Sequence, residues 1–315
     1  MVLTESPTVG IPRPAGDAGS GHLLGAADVH RLADDLGIVP TKKLGQNFVI
    51  DPGTVRRIVR TAHVGQGDRV LEIGPGLGSL TLALLEAGCH VTAVEIDPRL
   101  GTRLPDTVRR FMPDRAADLT VLVRDGMLLT AEDLDEDADG TGIVPELTLV
   151  ANLPYNIATP LVLTLLSRMP HLTRFTVMVQ KEVADRMAAG PGGRSYGAPS
   201  VKLAWYGTAT RTGSIGRNVF WPAPNVDSAL VSFARLHDET GRREDEGLRE
   251  RVFRLIDAAF GQRRKTLRHA LRGLVPPETF QDCGIDDTRR GETLSIDEFI
   301  ALASRGEADD ETDDR

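Results

Sequence analysis

The sequence is poor in the residues that cross-link small proteins or hold metals. Two cysteines occur in 315 residues, Cys89 and Cys283, and they form no CxxC pair. A disulfide scaffold and a cysteine-based zinc site are therefore unsupported. The seven histidines are scattered, with no HExxH and no i, i+4 pair, so no metal site is expected. No apolar run approaches the roughly 20 residues that a bilayer span requires. The first residues, MVLTESPTVGIPRPAG, lack the basic start and apolar core of a secretory signal. They read as an unstructured lead-in over 1–24, and the expected setting is the cytoplasm, without a membrane.

What is present suits a folded globular chain: 41% hydrophobic and 26% charged residues. A net charge of −8 argues at first against a nucleic-acid partner, but its distribution reverses that. Residues 131–146 hold seven acids and no base, and 307–315 carry a net −5. The rest of the chain is left at +4, and residues 249–272 alone set eight Arg/Lys against two acids. A local basic surface attracts phosphate even on an acidic chain.

Residues 26–38 have helical spacing, with Val29, Leu32, Ala33 and Leu36 on one face and Pro40 beyond the end. The segment TVRRIVRTAHV predicts a second helix. Arg69–Ile73 then reads as a strand, Gly74-Pro75-Gly76-Leu77-Gly78 as a turn, Ser79–Ala87 as a helix and His90–Glu95 as a strand. That is a βαβ unit. Further strands are expected at Leu119–Arg124, Leu147–Ala151, Phe175–Val179, Val201–Tyr206 and Ala229–Phe233, with a helix over TPLVLTLLSRM. Such alternation implies a mainly parallel sheet covered on both faces. From about residue 245 the pattern turns purely helical. The expected architecture is an α/β, Rossmann-like sheet over 25–240, a small C-terminal α-helical domain over 241–305, and an acidic, unstructured tail over 306–315.

Ligands in open α/β sheets bind outside the carboxyl ends of the strands, where Glu72, Glu95, Asp125 and Asn152 fall at or near the rim. The turn lets backbone approach a ligand and aims a helix N-terminus at it. Its spacing is GxGxG, not the GxGxxG of pyrophosphate-binding folds. Glu95, 19 residues after Gly76, is placed to accept both ribose hydroxyls, and Asp125 to accept from an adenine amino group. Either acid alone reads equally well as a polar strand end. Together with Gly74 and Gly76 they occur in the order an adenosine ligand requires, and with no His/Arg/Asp cluster for hydride chemistry they favour S-adenosylmethionine over nicotinamide.

Asn152-Leu153-Pro154-Tyr155 follows the fourth strand. An exocyclic adenine amine is a poor nucleophile, because its lone pair is delocalised into the ring. An Asn side-chain carbonyl and a backbone carbonyl that both accept from that amine orient its lone pair and stabilise the growing positive charge. Pro154 fixes the carbonyl before it, and Tyr155 offers a stacking face. In Val219-Phe220-Trp221-Pro222-Ala223-Pro224, Phe220 is a candidate to cover the other face of an extruded base; its bland alternative is core packing. Gln262–Arg272 reads as a basic helix presenting Arg263, Arg264, Lys265 and Arg268 to phosphate, with Leu267, Ala270, Leu271 and Leu274 turned inward. Here the bland alternative is a solvated charged helix.

The segments TKKLGQNFVID, VLEIGPGLGSLT, VEIDP, ANLPYNI, MVQKEVADRM, VFWPAPNVDSALV and FGQRRKTLRHAL run in order over residues ~40 to ~275. In these the chain resembles the ribosomal RNA adenine dimethylase family, of the KsgA/RsmA small-subunit type. The resemblance implies transfer of two methyls to each of two adjacent adenosines near the 3′ end of 16S rRNA, by a monomer acting on the small subunit or its precursor. It also implies cofactor contacts from Asn47, Val49, Gly74, Glu95, Asp125 and Asn152, with Ile96 against the adenine. Asn47 and Val49 rest on the resemblance alone. Val49 stands where the family more often has Leu, a small departure if its backbone makes the contact.

Alternatives follow from the same motifs. An erythromycin-resistance type enzyme would methylate 23S rRNA instead; the long basic C-terminal module and NLPYNI favour the small-subunit type. A noncatalytic assembly factor would bind rRNA without turning over, and a small-molecule methyltransferase would act without RNA. Finally, Asp135, Asp137, Asp139, Gly140 and Glu146 match a calcium-loop pattern. Pro145 and the strand LTLVAN follow where a second helix should, so an acidic surface insertion is expected.

Overall fold

The computed structural model describes residues 21–38, 47–134, 145–154, 157–237, 240–241, 243 and 245–305. The calcium-loop positions 135–140, Tyr155 and the tail 306–315 lie outside them. In chain order the elements are α1 (Ala26–Asp35), β1 (Phe48–Val49), α2 (Pro52–Ala62), β2 (Arg69–Ile73), α3 (Ser79–Glu86), β3 (His90–Glu95), α4 (Pro98–Gly101), α5 (Leu104–Phe111), β4 (Leu119–Val123) and β5 (Leu147–Asn152). There follow α6 (Ala158–Arg168), β6 (Leu172–Gln180), α7 (Lys181–Met187), α8 (Ala198–Tyr206), β7 (Gly207–Ile215), β8 (Phe220–Trp221), β9 (Ser228–Arg235), α9 (Glu246–Gly261), α10 (Leu267–Ala270), α11 (Pro277–Asp282) and α12 (Ile296–Arg305).

Seven strands form one sheet in the order β4-β3-β2-β5-β6-β9-β7. The first five are parallel, and β9 and β7 close the sheet antiparallel. Successive strand residues point to opposite faces, and the two cores divide accordingly. Val70, Val91, Ala93 and Val150 pack with α1, α2, α3 and α5 on one face. Leu71, Val94, Leu149 and Ala151 pack with α6, α8 and the C-terminal helices on the other. Chain reversal occurs between β2 and β5, so a crevice opens at their carboxyl ends, as it does in doubly wound sheets.

Local chemistry sets the helix starts. The Asp51 carboxylate accepts from Thr54 N at 2.7 Å, and Pro52 occupies the first turn of α2. Asp245 does the same for α9, accepting from Leu248 N at 2.9 Å.

Three expectations need correction, and one strand is additional. Val201–Tyr206 is not a strand but the body of α8. Pro199 sits in its first turn, and Val201, Leu203, Trp205 and Tyr206 are all buried; a helix buried on several sides loses the periodicity that separates it from a strand. The following GTATRTGSI, too polar to read as a strand, is the edge strand β7. Residues 21–24 are not unstructured: Leu23 and Leu24 are buried, and His22 N donates to Phe111 O at 2.9 Å. Gln262–Arg272 is not one helix. The chain leaves α9 at Gln262, turns through 263–265 and re-enters a single helical turn at Leu267. The break is held by carbonyls from another segment: Leu267 N donates to Arg289 O at 2.8 Å and Arg268 N to Asp287 O at 3.0 Å. Leu267, Ala270 and Leu271 are buried as expected, but Leu274 is 42% exposed.

Candidate cofactor and target site

The turn after β2 bends through three glycines with positive φ, +71°, +58° and +96° at Gly74, Gly76 and Gly78. At Gly76 a Cβ would stand 2.9 Å from Phe48 Cε1, while at Gly74 it would meet nothing within 4 Å. The turn is thus packed from behind by β1 and open in front. In front lies an open cleft whose empty space, solvent at its mouth included, is about 1060 Å³. Its wall contains Asn47, Val49, Gly74, Gly76, Glu95, Ile96, Asp125, Asn152, Leu153 and Pro154 together. Residues drawn from five separate stretches of sequence meet there because the carboxyl ends of β2, β3, β4 and β5 are neighbours and β1 lies against the turn.

Glu95 ends β3 with its carboxylate 5% exposed residue-wise and pinned by backbone donors: Gly76 N to Oε2 at 3.1 Å and Asp97 N to Oε1 at 3.0 Å. Burial pushes its pKa above the ordinary carboxylate range, and those backbone hydrogen bonds pull it back. Each oxygen retains a second lone pair, so the group can accept a ribose hydroxyl while fixed to the turn. Asp125 caps the short turn after β4, its Oδ1 accepting from Met127 N at 2.9 Å, which leaves Oδ2 to accept from an amine. Between them Ile96 is 57% exposed, an apolar side chain on the cleft wall that a purine face would cover. These features fit an adenosine-based methyl donor.

Asn152 is the last residue of β5. Its Nδ2 donates to the Asn47 carbonyl at 3.1 Å, so the amide is oriented and Oδ1 is the end left to accept. Leu153 is buried, with its N donating to Met178 O at 3.1 Å, which anchors the Asn152–Leu153 peptide, one peptide before the carbonyl that precedes Pro154. Val49 is held from the other side, its carbonyl accepting from Ser79 Oγ at 2.7 Å. The short strand β1 therefore joins the glycine turn to the target asparagine.

Phe220 stands apart from this wall. It is 3% exposed, pairs with Val49 across the β1–β8 ribbon and belongs to the core beneath it. Stacking on a base would require the ring to leave that core. Of the basic residues, Arg263 binds Glu292 (Nε to Oε2, 2.7 Å) and Arg268 binds Asp287 (2.9 Å). Arg264 and Lys265 are exposed and, among the described residues, pair with no acid.

Glu72, which the sequence places near the rim without assigning it a role, also lies on the cleft wall. It is 2% exposed, its Oε2 accepts from Thr81 Oγ1 at 2.6 Å, and burial, with Glu95 nearby, raises its pKa to about 8. The available signal was a glutamate inside the apolar run RVLEI, where a buried strand has no use for charge.

A parallel sheet with a glycine turn, a strand-end acid on each of the next two strands and an Asn-Leu-Pro sequence on the fourth defines an adenosine-dependent methyltransferase. The family model of ribosomal RNA adenine dimethylase matches residues 40–306, and the chain belongs to that family. It is a methyltransferase that uses S-adenosylmethionine and acts on adenine in ribosomal RNA. It is 63% identical over 291 residues to ribosomal RNA small subunit methyltransferase A of Bifidobacterium longum subsp. infantis, covering 90% of this chain and 94% of the relative. It is 53% identical over 286 residues to the protein of that name from Streptomyces griseus, covering 89% and 94%. Among solved structures, a dimethyladenosine transferase from Plasmodium falciparum shares the fold with a TM-score of 0.67 at 23% identity, covering 83% of this chain and 98% of the other.

Proposed function

We propose that this protein methylates N6 of two adjacent adenosines near the 3′ end of 16S rRNA, in the small ribosomal subunit or its precursor, in the cytoplasm. The observation that carries the reading is the bond from Asn152 Nδ2 to the Asn47 carbonyl. It supports a role in which Asn152 offers Oδ1, the other end of its amide, as an acceptor beside the glycine turn. Support for the small subunit comes from the relatives' names and from identities of 51–63% across about nine-tenths of this chain. Among the described residues no helix is long and apolar enough to cross a membrane.

In this mechanism Asn152 Oδ1 and the Leu153 carbonyl accept the two N–H bonds of the adenine amine. That draws nitrogen toward tetrahedral geometry and aims its lone pair along the cleft. When bound, S-adenosylmethionine supplies a methyl on sulfonium sulfur, which keeps the bonding pair. As the new N–C bond forms, nitrogen gains positive charge and the two carbonyls stabilise it. The N6 proton then passes to water, so no side-chain base is needed. Glu95 and Asp125 hold ribose and adenine, and Ile96 covers the purine. Arg264 and Lys265 meet RNA phosphate, and Arg263 and Arg268 brace the turn that carries them.

Labelled methyl transfer to small subunits lacking the modification, to isolated 23S rRNA and to RNA-free mixtures tests the reading. Incorporation into small subunits, with primer extension arrested at two adjacent adenosines, is expected. Incorporation only into 23S rRNA, or none into either, would overturn it.

A further inference from the structure

At the far end of the same rim, four cations from separate elements lie beside two acids, and three of them meet at Ser214 and Asp185. Arg57 of α2 donates Nη1 to the carbonyl of Ser214 at 3.1 Å, and Arg211 of β7 donates Nη2 to the hydroxyl of the same serine at 2.6 Å. Arg211 also reaches Asp185 (Nη1 to Oδ1, 3.1 Å), and Lys181 binds the other oxygen of that carboxylate at 2.7 Å. Arg217 lies beside them in sequence and faces Asp227 at 3.4 Å. Glu182 and Arg186 on α7 offset one another in charge, so the cluster keeps a net charge of +2.

Like charges gathered around one serine and one shared carboxylate repel each other, and nothing in the core requires them there. Arg57 is exposed and has no acidic partner among the described residues, and Lys181 and Arg217 are about half exposed. Their placement is informative. The end of β7 registers Ile215 with Ser228, Ser228 with Gln180 on β6, and Met178 with Asn152. The cluster therefore lies on the carboxyl rim three strands across from Asn152, about 14 Å at the usual strand spacing. Arg57 comes from the face covered by α2, whereas Lys181 and Asp185 belong to α7, whose Ala184 and Met187 pack in the other core, so the cluster straddles the β7 edge of the sheet.

We infer that Arg57, Lys181, Arg211 and Arg217 form a second phosphate-binding surface at the β7 edge of the sheet, distinct from the C-terminal basic turn, for the RNA strand that carries the target adenosine. The inference rests on the proposed RNA reaction. A single strand with its target base over Asn152 would run along the carboxyl rim onto this edge, where the cluster neutralises its backbone charge. Asp185 holds Arg211 and Lys181 in place while leaving excess positive charge, as suits a backbone contact that positions a strand without reading its sequence.

The test compares wild type, R57A/R211A and R57K/R211K for binding to unmodified small subunits and to a single-stranded oligoadenylate across a salt series. Wild-type affinity falls with salt by about 0.7 log units per log unit of salt for each phosphate neutralised on a single strand. The alanine pair is expected to lower that slope by about 1.4 and to weaken binding roughly tenfold, with S-adenosylmethionine affinity unchanged. The lysine pair, which keeps charge but loses the guanidinium bonds to Ser214, should retain the wild-type slope. An unchanged slope in the alanine pair would overturn the inference, as would an equal fall in the lysine pair. Failure of wild type to methylate small subunits would instead sink the proposed function, and the oligoadenylate slope would still decide the surface.

Discussion

At the cofactor rim both oxygens of Glu95 are taken by backbone amides, and the Asn152 amide is tied to a backbone carbonyl. In the basic turn after α9, Arg264 and Lys265 are exposed and touch no acid among the described residues. The rim is built before any ligand arrives, from strand ends and glycine conformations that the sheet enforces. The turn keeps its long side chains in water and commits only charge. A methyl transfer needs reacting atoms aligned to within a fraction of an ångström, and a phosphate contact tolerates far more. The difference predicts that rim substitutions act on the chemical step or on folding, and turn substitutions on salt-sensitive affinity.

The largest effect should come from Asn152→Ala. Losing the acceptor for the amine is expected to slow methyl transfer by about 10²–10³, the usual scale for one preorganised group at a developing charge. Small-subunit binding should stay within a few-fold of wild type, because the basic turn is untouched. Single-turnover rates together with filter binding would check this. A variant that lost binding in proportion to rate would erase the distinction between rim and turn.

Glu72 sharpens the picture from below the rim. With its pKa raised to about 8 by burial, the folded protein holds a proton on this residue that the unfolded chain releases near pH 4.5. Stability from the neutral form is complete below that pH, declines as pH rises and is lost once pH passes about 8. Glu72→Gln keeps an acceptor for Thr81 Oγ1 and removes the titration. Between pH 6 and 9 the wild-type Tm should fall by roughly 4 °C more than that of the variant, equivalent to on the order of 2 kcal/mol. Parallel Tm–pH curves would show that Glu72 does not titrate in this window.

The sequence spells out the rim better than the turn for the same physical reason. Glu95, Asp125 and Asn152 end strands whose apolar runs are plain, so the parallel sheet places them together. The bond between Asn152 and Asn47 spans 105 residues and leaves no local pattern. Val201–Tyr206 alternates like a strand because α8 is buried against both α7 and α9. The polar β7 pairs on one side only, which removes the hydrophobic pressure that would mark it. The regular i, i+4 spacing of Arg264 and Arg268 suggested one helix; carbonyls of Arg289 and Asp287, some 20 residues on, interrupt it.

The smallest expected effect lies within the turn itself, between adjacent arginines. Arg263 donates Nε to Glu292 at 2.7 Å and lies beside the carbonyls of Arg194 and Tyr196, so it joins the loop before α8 to the turn before α12. The ion pair is half exposed, which limits its worth to about 0–1 kcal/mol. Arg263→Ala should therefore lower Tm by roughly 1–2 °C and leave most of the salt dependence of RNA binding intact. Arg264→Ala should do the reverse, with Tm unchanged and the salt slope lower by about 0.7. Thermal melts and binding isotherms at several salt concentrations separate the two. If Arg263→Ala reduced the slope as much as Arg264→Ala at constant Tm, both arginines would face phosphate, and the bond to Glu292 would be one that RNA displaces.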